Sequence, residues 1–273
     1  MAAFNRARKR SCHSLGFGMR SLIVNADDCN LTSGVTRAIL DCHARGIVSS
    51  TTWLVNLPAK PEDVTAVRDS GLGVGLHLNV SLGAPLSNLS DIQSLVTEEG
   101  LFKKRSDYVL RAPTAADLVK EYIKQIVKFE KVFGRLPTHL DTHHQLHDET
   151  VFMQALAHVA REKKLPVRRS ALMSSPDFSR HFPGIITTQS LFGNLDAKAF
   201  WTAEKLEEVI QALLPGTAEI MCHPGIWDAD LQRLSSMTVP REKEHALFSS
   251  PHLKSILEKH KIKLINFSQL SMP

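Results

Sequence analysis

The sequence has few cysteines and no long apolar run. Only four of its 273 residues are cysteines, and they show neither a paired spacing nor a C-x-x-C motif, so disulfide scaffolds and cysteine-based zinc modules are not expected and a cytoplasmic location is predicted. No apolar stretch approaches the roughly 18 residues of a membrane-spanning helix, so no membrane partner is predicted. The composition, with 43% apolar and 22% charged residues, excludes a mostly disordered, collagenous or coiled-coil protein.

Acidic residues are absent from residues 1–20, which hold five of the 33 basic residues. The remaining 28 basic residues balance 28 acidic ones, so the net charge gives no support for a nucleic-acid partner. Residues 1–20 are interpreted as a basic extension outside the fold, with Met19 as the true start. Mitochondrial targeting by this segment is the alternative. Residues 21–273 are expected to form a single catalytic domain.

Short apolar runs alternate with helical patterns along the rest of the chain, which predicts βα units and a mostly parallel sheet. Seven or eight such units without a linker predict an α/β fold with a closed or nearly closed barrel. Residues 83–113 interrupt the rhythm and are expected to form a substrate loop. Helices are predicted after Ser33, after Thr114 up to Gly134, and over Glu149–Lys163 with Asp148 as the N-cap. The predicted strands are Leu22–Asp27, Ser50–Val55, Val74–Val80, Thr138–His143, Val167–Arg169, Ile185–Thr188, Ala218–His223 and Lys263–Phe267.

Acids and imidazoles recur at every second position near the ends of four predicted strands. In a barrel, one face of each strand turns inward, and enzymes of this architecture keep their chemistry at the carboxyl ends of the strands. Carboxylates and imidazoles gathered there would suit a divalent metal bound by two histidines and one carboxylate. The alternating sets are Asn25 and Asp27; His77 and Asn79; His139, Asp141 and His143; and Glu219, Met221 and His223.

Each of these signals also has a structural explanation. His77 alone is more often a hydrogen-bonded core residue than a ligand, and Asp27-Asp28 could be a turn that caps the next helix. His143 and His147 have the i, i+4 spacing of a helical zinc motif, but His144 occupies the place of that motif's Glu. The segment also has the pattern of a strand end followed by a turn, so the helical zinc motif is rejected.

Longer stretches around these residues carry a family resemblance. They cover 23–28, 46–52 followed by Val55-Asn56, 75–79, 134–147 and 219–225, and Pro240-Arg241 follows the same order. In these stretches the sequence resembles the YdjC-like carbohydrate deacetylase family, of the chitooligosaccharide deacetylase type. The resemblance implies a distorted TIM-like barrel related to NodB-type polysaccharide deacetylases, and a possible homodimer. The sequence departs from the pattern at Cys29-Asn30, where the family has Phe-Gly, which could alter the turn and place a soft sulfur near the metal.

The resemblance also implies residue roles. Asp27 would be the general base, and Asp28, His77 and His143 would hold a divalent metal ion, Mg²⁺ by similarity, with Zn²⁺ or another transition metal as the alternative. The implied reaction removes an N-acetyl group from an acetylated amino sugar or a short oligosaccharide, so the expected partner is a small carbohydrate.

Amide hydrolysis needs an activated water and a proton for the departing amine. His223, on the inward face of a strand late in the chain, is predicted to be the general acid that supplies this proton. The alternative is that His223 is a structural imidazole before Pro224. Arg168 is predicted to orient Asp27, with Arg169 as a competitor. The residues predicted to contact the sugar or support the ligands are Asn79, Asp141 and His147.

Two other functions remain open. A metal hydrolase on the same barrel could act on another ester or a phosphoester, but phosphate chemistry usually brings two metals or a cluster of cations, and the predicted inner faces carry few. A catalytically silent sugar-binding barrel is the second alternative, and the intact set of acids and histidines argues against it.

Overall fold

The computed structural model describes residues 18–175, 178, 182–193 and 200–270. Its strands form one parallel sheet in the order β4-β3-β2-β1-β6-β5, and β7 pairs with the first residues of β1. The strands are β1 Arg20–Cys29, β2 Ser50–Trp53, β3 Gly73–Leu78, β4 Leu140–Thr142, β5 Ser190–Phe192, β6 Gly216–Cys222 and β7 Ile262–Leu264. The helices are α1 Ser33–Arg45, α2 Pro61–Asp69, α3 Arg105–Leu110, α4 Ala115–Phe133, α5 Thr150–Lys163, α6 Ala203–Ala212, α7 Ala229–Leu234, α8 Val239–Phe248 and α9 His252–Lys259.

The sheet curls into an open barrel, which confirms the predicted α/β architecture. Beyond β4, Val167 forms a parallel bridge with Leu140, and the Val167 N–H donates to the Ile186 carbonyl at 2.8 Å. The strand predicted over Val167–Arg169 is therefore a single bridge. The strand predicted over Ile185–Thr188 is wrong, because regular pairing with β6 begins only at Ser190. Isolated contacts replace a continuous ladder on this side of the barrel.

The floor of the barrel is apolar. Ile23 at the start of β1 packs with Ile265 and Phe267 in a separate buried cluster. The His139 ring stacks on Phe267 with 3.7 Å between ring centroids. A Cβ on Gly75 would lie 2.3–2.4 Å from that imidazole, so only glycine leaves room for it. His139 is thus part of the core, and the polar inner residues lie further along the strands.

Two of the three predicted helix starts needed correction. Thr114 caps α4 as predicted, because its hydroxyl accepts the Asp117 N–H at 3.1 Å, and the helix ends before Gly134. The N-cap of α1 is Thr32, one residue before the predicted Ser33. The N-cap of α5 is Glu149, without a side-chain cap bond, and Asp148 instead accepts the Ala171 N–H at 2.7 Å.

The extension predicted to reach residue 20 ends earlier, because Arg20 already pairs with β6 and β7 as part of β1. For residues 1–17, which lie outside the described part, the boundary stays a prediction. Strand β1 begins at Arg20, whose guanidinium donates to the His260 carbonyl, and the Met19 carbonyl accepts the Gly216 N–H at 2.9 Å. No helix within the described ranges is long and apolar enough to cross a membrane.

Candidate active site

The adjacent residues Asp27 and Asp28 separate at the end of β1. Asp28 and Asn30 have φ values of 67° and 72°, in the left-handed region that Asp and Asn tolerate better than other side chains. The register with β2 shifts in the same stretch, between Ala26 and Cys29. This irregularity ends the alternation of β1, so the two neighbouring carboxylates have different partners.

Asp28 meets two imidazoles from neighbouring elements. Its Oδ1 lies 3.0 Å from His143 Nδ1 and 3.2 Å from His77 Nε2. His77 belongs to β3, and His143 opens the 3₁₀ segment that follows β4. All three side chains are buried, and their donor atoms lie within 4.8 Å of one another. One carboxylate oxygen and two imidazole nitrogens form a donor set that fits a divalent metal ion.

Two of the three ligand-type residues of this cluster, His77 and Asp28, have a charged partner on the side away from the cluster. His77 Nδ1 lies 2.6 Å from Asp141 Oδ1, which turns Nε2 toward Asp28. Burial alone would lower the pKa of His77, but the Asp141 carboxylate raises it to about 10. Arg241 Nη2 donates to Asp28 Oδ2 at 2.5 Å. Burial raises the pKa of Asp28, but Arg241 and then His143 overcome this and hold it well below its usual range.

Below this cluster, one guanidinium joins three carboxylates. Arg168 is fully buried and binds both oxygens of Asp27, at 2.6 and 2.7 Å. It also lies 2.9 Å from Asp141 Oδ2 and donates to Glu219 Oε1 at 2.8 Å. Arg169 instead donates to the Thr188 carbonyl, so of the two candidates only Arg168 reaches Asp27. Burial raises the pKa of Glu219 to about 7 despite Arg168.

A second group with metal-ligand chemistry is Asp27, His77 and Asp141. Arg168 already occupies both carboxylates of this group, and the inner nitrogen of His77 is bonded to Asp141. A cation placed there would meet the buried guanidinium. The cluster of Asp28 with His77 and His143 is therefore the better metal site.

His223 directly follows β6 and approaches Asp27. Its Nε2 is 3.9 Å from Asp27 Oδ2, and its side chain is 19% exposed. The His223 main-chain N–H donates to Glu244 Oε2 at 2.6 Å. The ring thus reaches both Asp27 and the cavity, which a purely structural imidazole before Pro224 need not do.

The acids and histidines open into a cavity of about 780 Å³. Arg105, from the segment at 83–113, and His144 contribute to its wall, and residues 234–237 supply further lining. His144 and Gln145 are consecutive residues with φ values of 59° and 50°. Such backbone strain persists only where surrounding structure enforces it, and it is common at functional sites.

Three sequence-based expectations do not fit this geometry. Asn79 is fully buried and donates to Asn56 Oδ1 and the Leu82 carbonyl, so it builds the turn after β3 and has no free group for a sugar. His147 is fully buried, its Nδ1 lies 2.7 Å from Thr142 Oγ1, and it does not line the cavity. Cys29 faces Thr36, and burial raises the pKa of its thiol to about 12, so it is no soft neighbour of the metal cluster.

Two residues of the site had no predicted role. Both are buried: Arg241 forms an ion pair with Asp28, and Glu244 accepts the His223 main-chain N–H. Arg241 lies in a segment that carries the family resemblance, but helix charges spaced i, i+3 are usually solvated. Nothing in the local pattern distinguishes this buried pair.

Comparisons with known proteins agree with this geometry. A family model described as "YdjC-like protein" matches residues 21–259. A relative from Enterococcus faecalis named carbohydrate deacetylase is 31% identical over 261 residues, covering 93% of this chain and 99% of its own. A relative of the same name from Oceanobacillus iheyensis is 34% identical over 223 residues, covering 81% of this chain and 92% of its own.

Solved structures extend the comparison. A crystal structure from Enterococcus faecalis, of a protein with a suggested role in cellobiose-phosphate cleavage, matches with a TM-score of 0.85 at 30% identity and covers 93% of this chain and all of that one. A CE4 esterase from Streptococcus mutans matches with a TM-score of 0.52 at 13% identity, covering 92% of this chain and 87% of its own. This match confirms that the fold is related to that of NodB-type polysaccharide deacetylases. On the match of residues 21–259, this chain belongs to the YdjC-like protein family.

Proposed function

We propose that this protein is a metal-dependent carbohydrate deacetylase that removes the N-acetyl group from an amino sugar or a short oligosaccharide. In this proposal Asp27 is the general base, His223 is the general acid, and Asp28, His77 and His143 hold a divalent ion. The names of the curated relatives support the activity. The observation that carries the roles is the convergence of the three donor atoms beside Asp27, at the base of a cavity large enough for a sugar.

The reaction exchanges an amide for an amine and acetate with the consumption of one water. A divalent ion held by the three donors would polarise the acetyl carbonyl and make water more acidic. Asp27 Oδ2 receives the proton of the attacking water, and Arg168 keeps that carboxylate oriented with two hydrogen bonds. His223 Nε2, 3.9 Å from Asp27 Oδ2, delivers a proton to the departing nitrogen, because an amine leaves poorly as an anion.

The chemistry of the donor set bears on which metal is used. Mg²⁺ prefers an octahedral set of oxygen ligands, whereas imidazole nitrogens suit Zn²⁺ and other first-row transition metals. Two imidazoles and one carboxylate therefore favour a transition metal over Mg²⁺. The carboxylate on the rear nitrogen of His77 is the usual companion of a metal-bound histidine.

Acetate release tests the proposal directly. The full chain, stripped of metal with a chelator, is assayed on short N-acetylated chitooligosaccharides before and after addition of Zn²⁺ or Mg²⁺. We expect no acetate without metal and recovery after addition, with more recovery from Zn²⁺. An O-acetylated xylooligosaccharide and p-nitrophenyl phosphate are the comparison substrates, since faster turnover of either would assign the site to ester or phosphoester chemistry. Carbohydrate binding without turnover of any of these three substrates would indicate a sugar-binding barrel without catalytic activity.

A further inference from the structure

Helix α8 carries two buried charged side chains on the face turned toward the cavity. Arg241 and Glu244 are 2% and 1% exposed, and Phe248 continues the same buried face. The mechanism proposed above uses neither residue. Each nevertheless bonds a different part of the site, because Arg241 reaches the side chain of Asp28 and Glu244 reaches the main chain of His223.

The position of α8 is set by contacts away from the cavity. His245 Nε2 lies 2.8 Å from Asp41 Oδ2 on α1, and the Ile47 N–H donates to the Phe248 carbonyl at 3.3 Å. Gly225 lies close to the Arg241 side chain, where an added Cβ would stand 3.1 Å from both its Cβ and its Cδ. Arg241 is therefore seated by packing as well as by its ion pair.

Arg241 acts on Asp28 in the opposite sense to the action of Asp141 on His77. Asp141 accepts a hydrogen bond from Nδ1 of its imidazole, which makes the far nitrogen a stronger donor to a metal. Arg241 donates to Asp28 Oδ2, which leaves Oδ1 to face the two imidazoles and withdraws charge from it. Within the described residues, Arg241 is the only arginine or lysine bonded to Asp28.

We propose that α8 is the positioning helix of this site. Arg241 leaves Asp28 one oxygen free for a metal and partly neutralises the negative charge of this carboxylate. A bound cation would therefore be held less tightly, and Asp28 would neutralise less of its positive charge. Glu244 positions His223 because its Oε2 accepts the His223 main-chain N–H at 2.6 Å. Its Oε1 accepts the Trp201 main-chain N–H at 3.1 Å. This inference rests on the proposed roles of Asp28 and His223.

Calorimetric titration of the metal-free full chain with Zn²⁺ alone tests the Arg241 arm. Arg241→Gln removes the charge and should tighten Zn²⁺ binding on the order of tenfold while kcat falls by a similar factor, the usual size of effect for partners of metal ligands. Arg241→Lys keeps the charge and should bind Zn²⁺ within about twofold of the wild type. If Arg241→Gln does not fold, Arg241→Met takes its place. Weaker or unchanged Zn²⁺ binding in the neutral variant would overturn this arm.

The Glu244 arm is tested by Glu244→Gln, which leaves one carbonyl oxygen for two N–H donors. Deacetylation should lose about tenfold in kcat, a fraction of the contribution of a general acid, with KM and the Zn²⁺ Kd unchanged. Glu242→Gln on the exposed side of α8 is the matched control and should behave as the wild type. Equal losses in KM and Zn²⁺ binding would mean that Glu244 only maintains the fold, and would overturn this arm.

The two levels of inference fail differently. If the wild type binds no Zn²⁺ and releases no acetate, the proposed function fails. If the wild type binds Zn²⁺ and releases acetate but the Arg241 and Glu244 variants behave like Glu242→Gln, only the inference about α8 fails.

Discussion

Asp27 and Asp28 are neighbours in the chain with opposite surroundings. Both oxygens of Asp27 are bound by Arg168, which also joins Asp141 and Glu219 in a buried ionic cluster inside the barrel. Asp28 shares one oxygen with two imidazoles and gives the other to Arg241. The change of backbone direction at Asp28 is enough to place two adjacent aspartates in different surroundings. Each carboxylate is bound by its own buried arginine, Asp27 by Arg168 and Asp28 by Arg241. The comparison indicates that the carboxylates have separate tasks.

Replacing Asp27, the carboxylate bound by Arg168, should have the largest effect on rate. Asp27→Asn keeps the volume but cannot take a proton, so kcat should fall by about 10²–10⁴-fold. Zn²⁺ stoichiometry should stay at the wild-type value, and added metal should not restore turnover. Asp69→Asn, the same change at an exposed position of α2, serves as the control. If Asp27→Asn is the variant that loses metal, the two roles must be exchanged.

Replacing the carboxylate beside the imidazoles should weaken metal binding first. Asp28→Asn removes the only negative donor of the trio, and its Zn²⁺ Kd should rise by at least about tenfold, since even indirect partners of metal ligands have effects of that size. Activity should recover in part with excess Zn²⁺. Titration calorimetry and acetate release on the same preparation distinguish this result from simple unfolding. Unchanged Zn²⁺ affinity would remove Asp28 from the ligand set.

The excess of carboxylates around Arg168 predicts a pH dependence of stability. The pKa of Glu219 is raised by burial to about 7 from an ordinary 4.5, so the folded state holds a proton that the unfolded state has released between these values. The contribution of Glu219 to stability should therefore decline as pH rises from 4.5 to 7. Glu219→Gln cannot lose that proton, and its stability relative to the wild type should increase across this window and level off above it.

Urea unfolding of both proteins at several pH values measures this difference. Glu208→Gln, on the exposed surface of α6, is the control for a general change in charge. A Glu219→Gln difference that does not vary with pH would contradict the shifted pKa.

Removal of residues 1–17 should have the smallest effect, because strand β1 begins at Arg20 and the first main-chain bond to β6 involves Met19. The thermal midpoint and the deacetylation rate of the shortened chain should match those of the full chain. A second truncation that also removes residues 18–20 should be less stable, since it deletes the Met19–Gly216 bond and the Arg20 contact with His260. Loss of cooperative unfolding in the first truncation would place the extension within the domain.

Part of the active site could be predicted from local sequence. Alternation in extended strands places every second residue on one face, so the inward acids and imidazoles of β1, β3 and β6 follow from a period of two. Helix α4 was equally predictable, because its cap residue, its apolar spacing and Gly134 all agree. The irregular pairing at Val167 was not, since a single bridge has no pattern of its own.

By itself, the sequence determined the α/β class and most of the residues available for chemistry, because both depend on short-range periodicity. Only the tertiary structure decided how deep each residue lies: His139 stacks on Phe267 in the floor, whereas His143, on the same predicted face, reaches the cavity. It also decided the arginine partners, since Arg168 lies 141 positions from Asp27 and Arg241 lies 213 positions from Asp28. Contacts over such separations are set by how the whole sheet curls and by which helix packs against its end, and no local pattern encodes them.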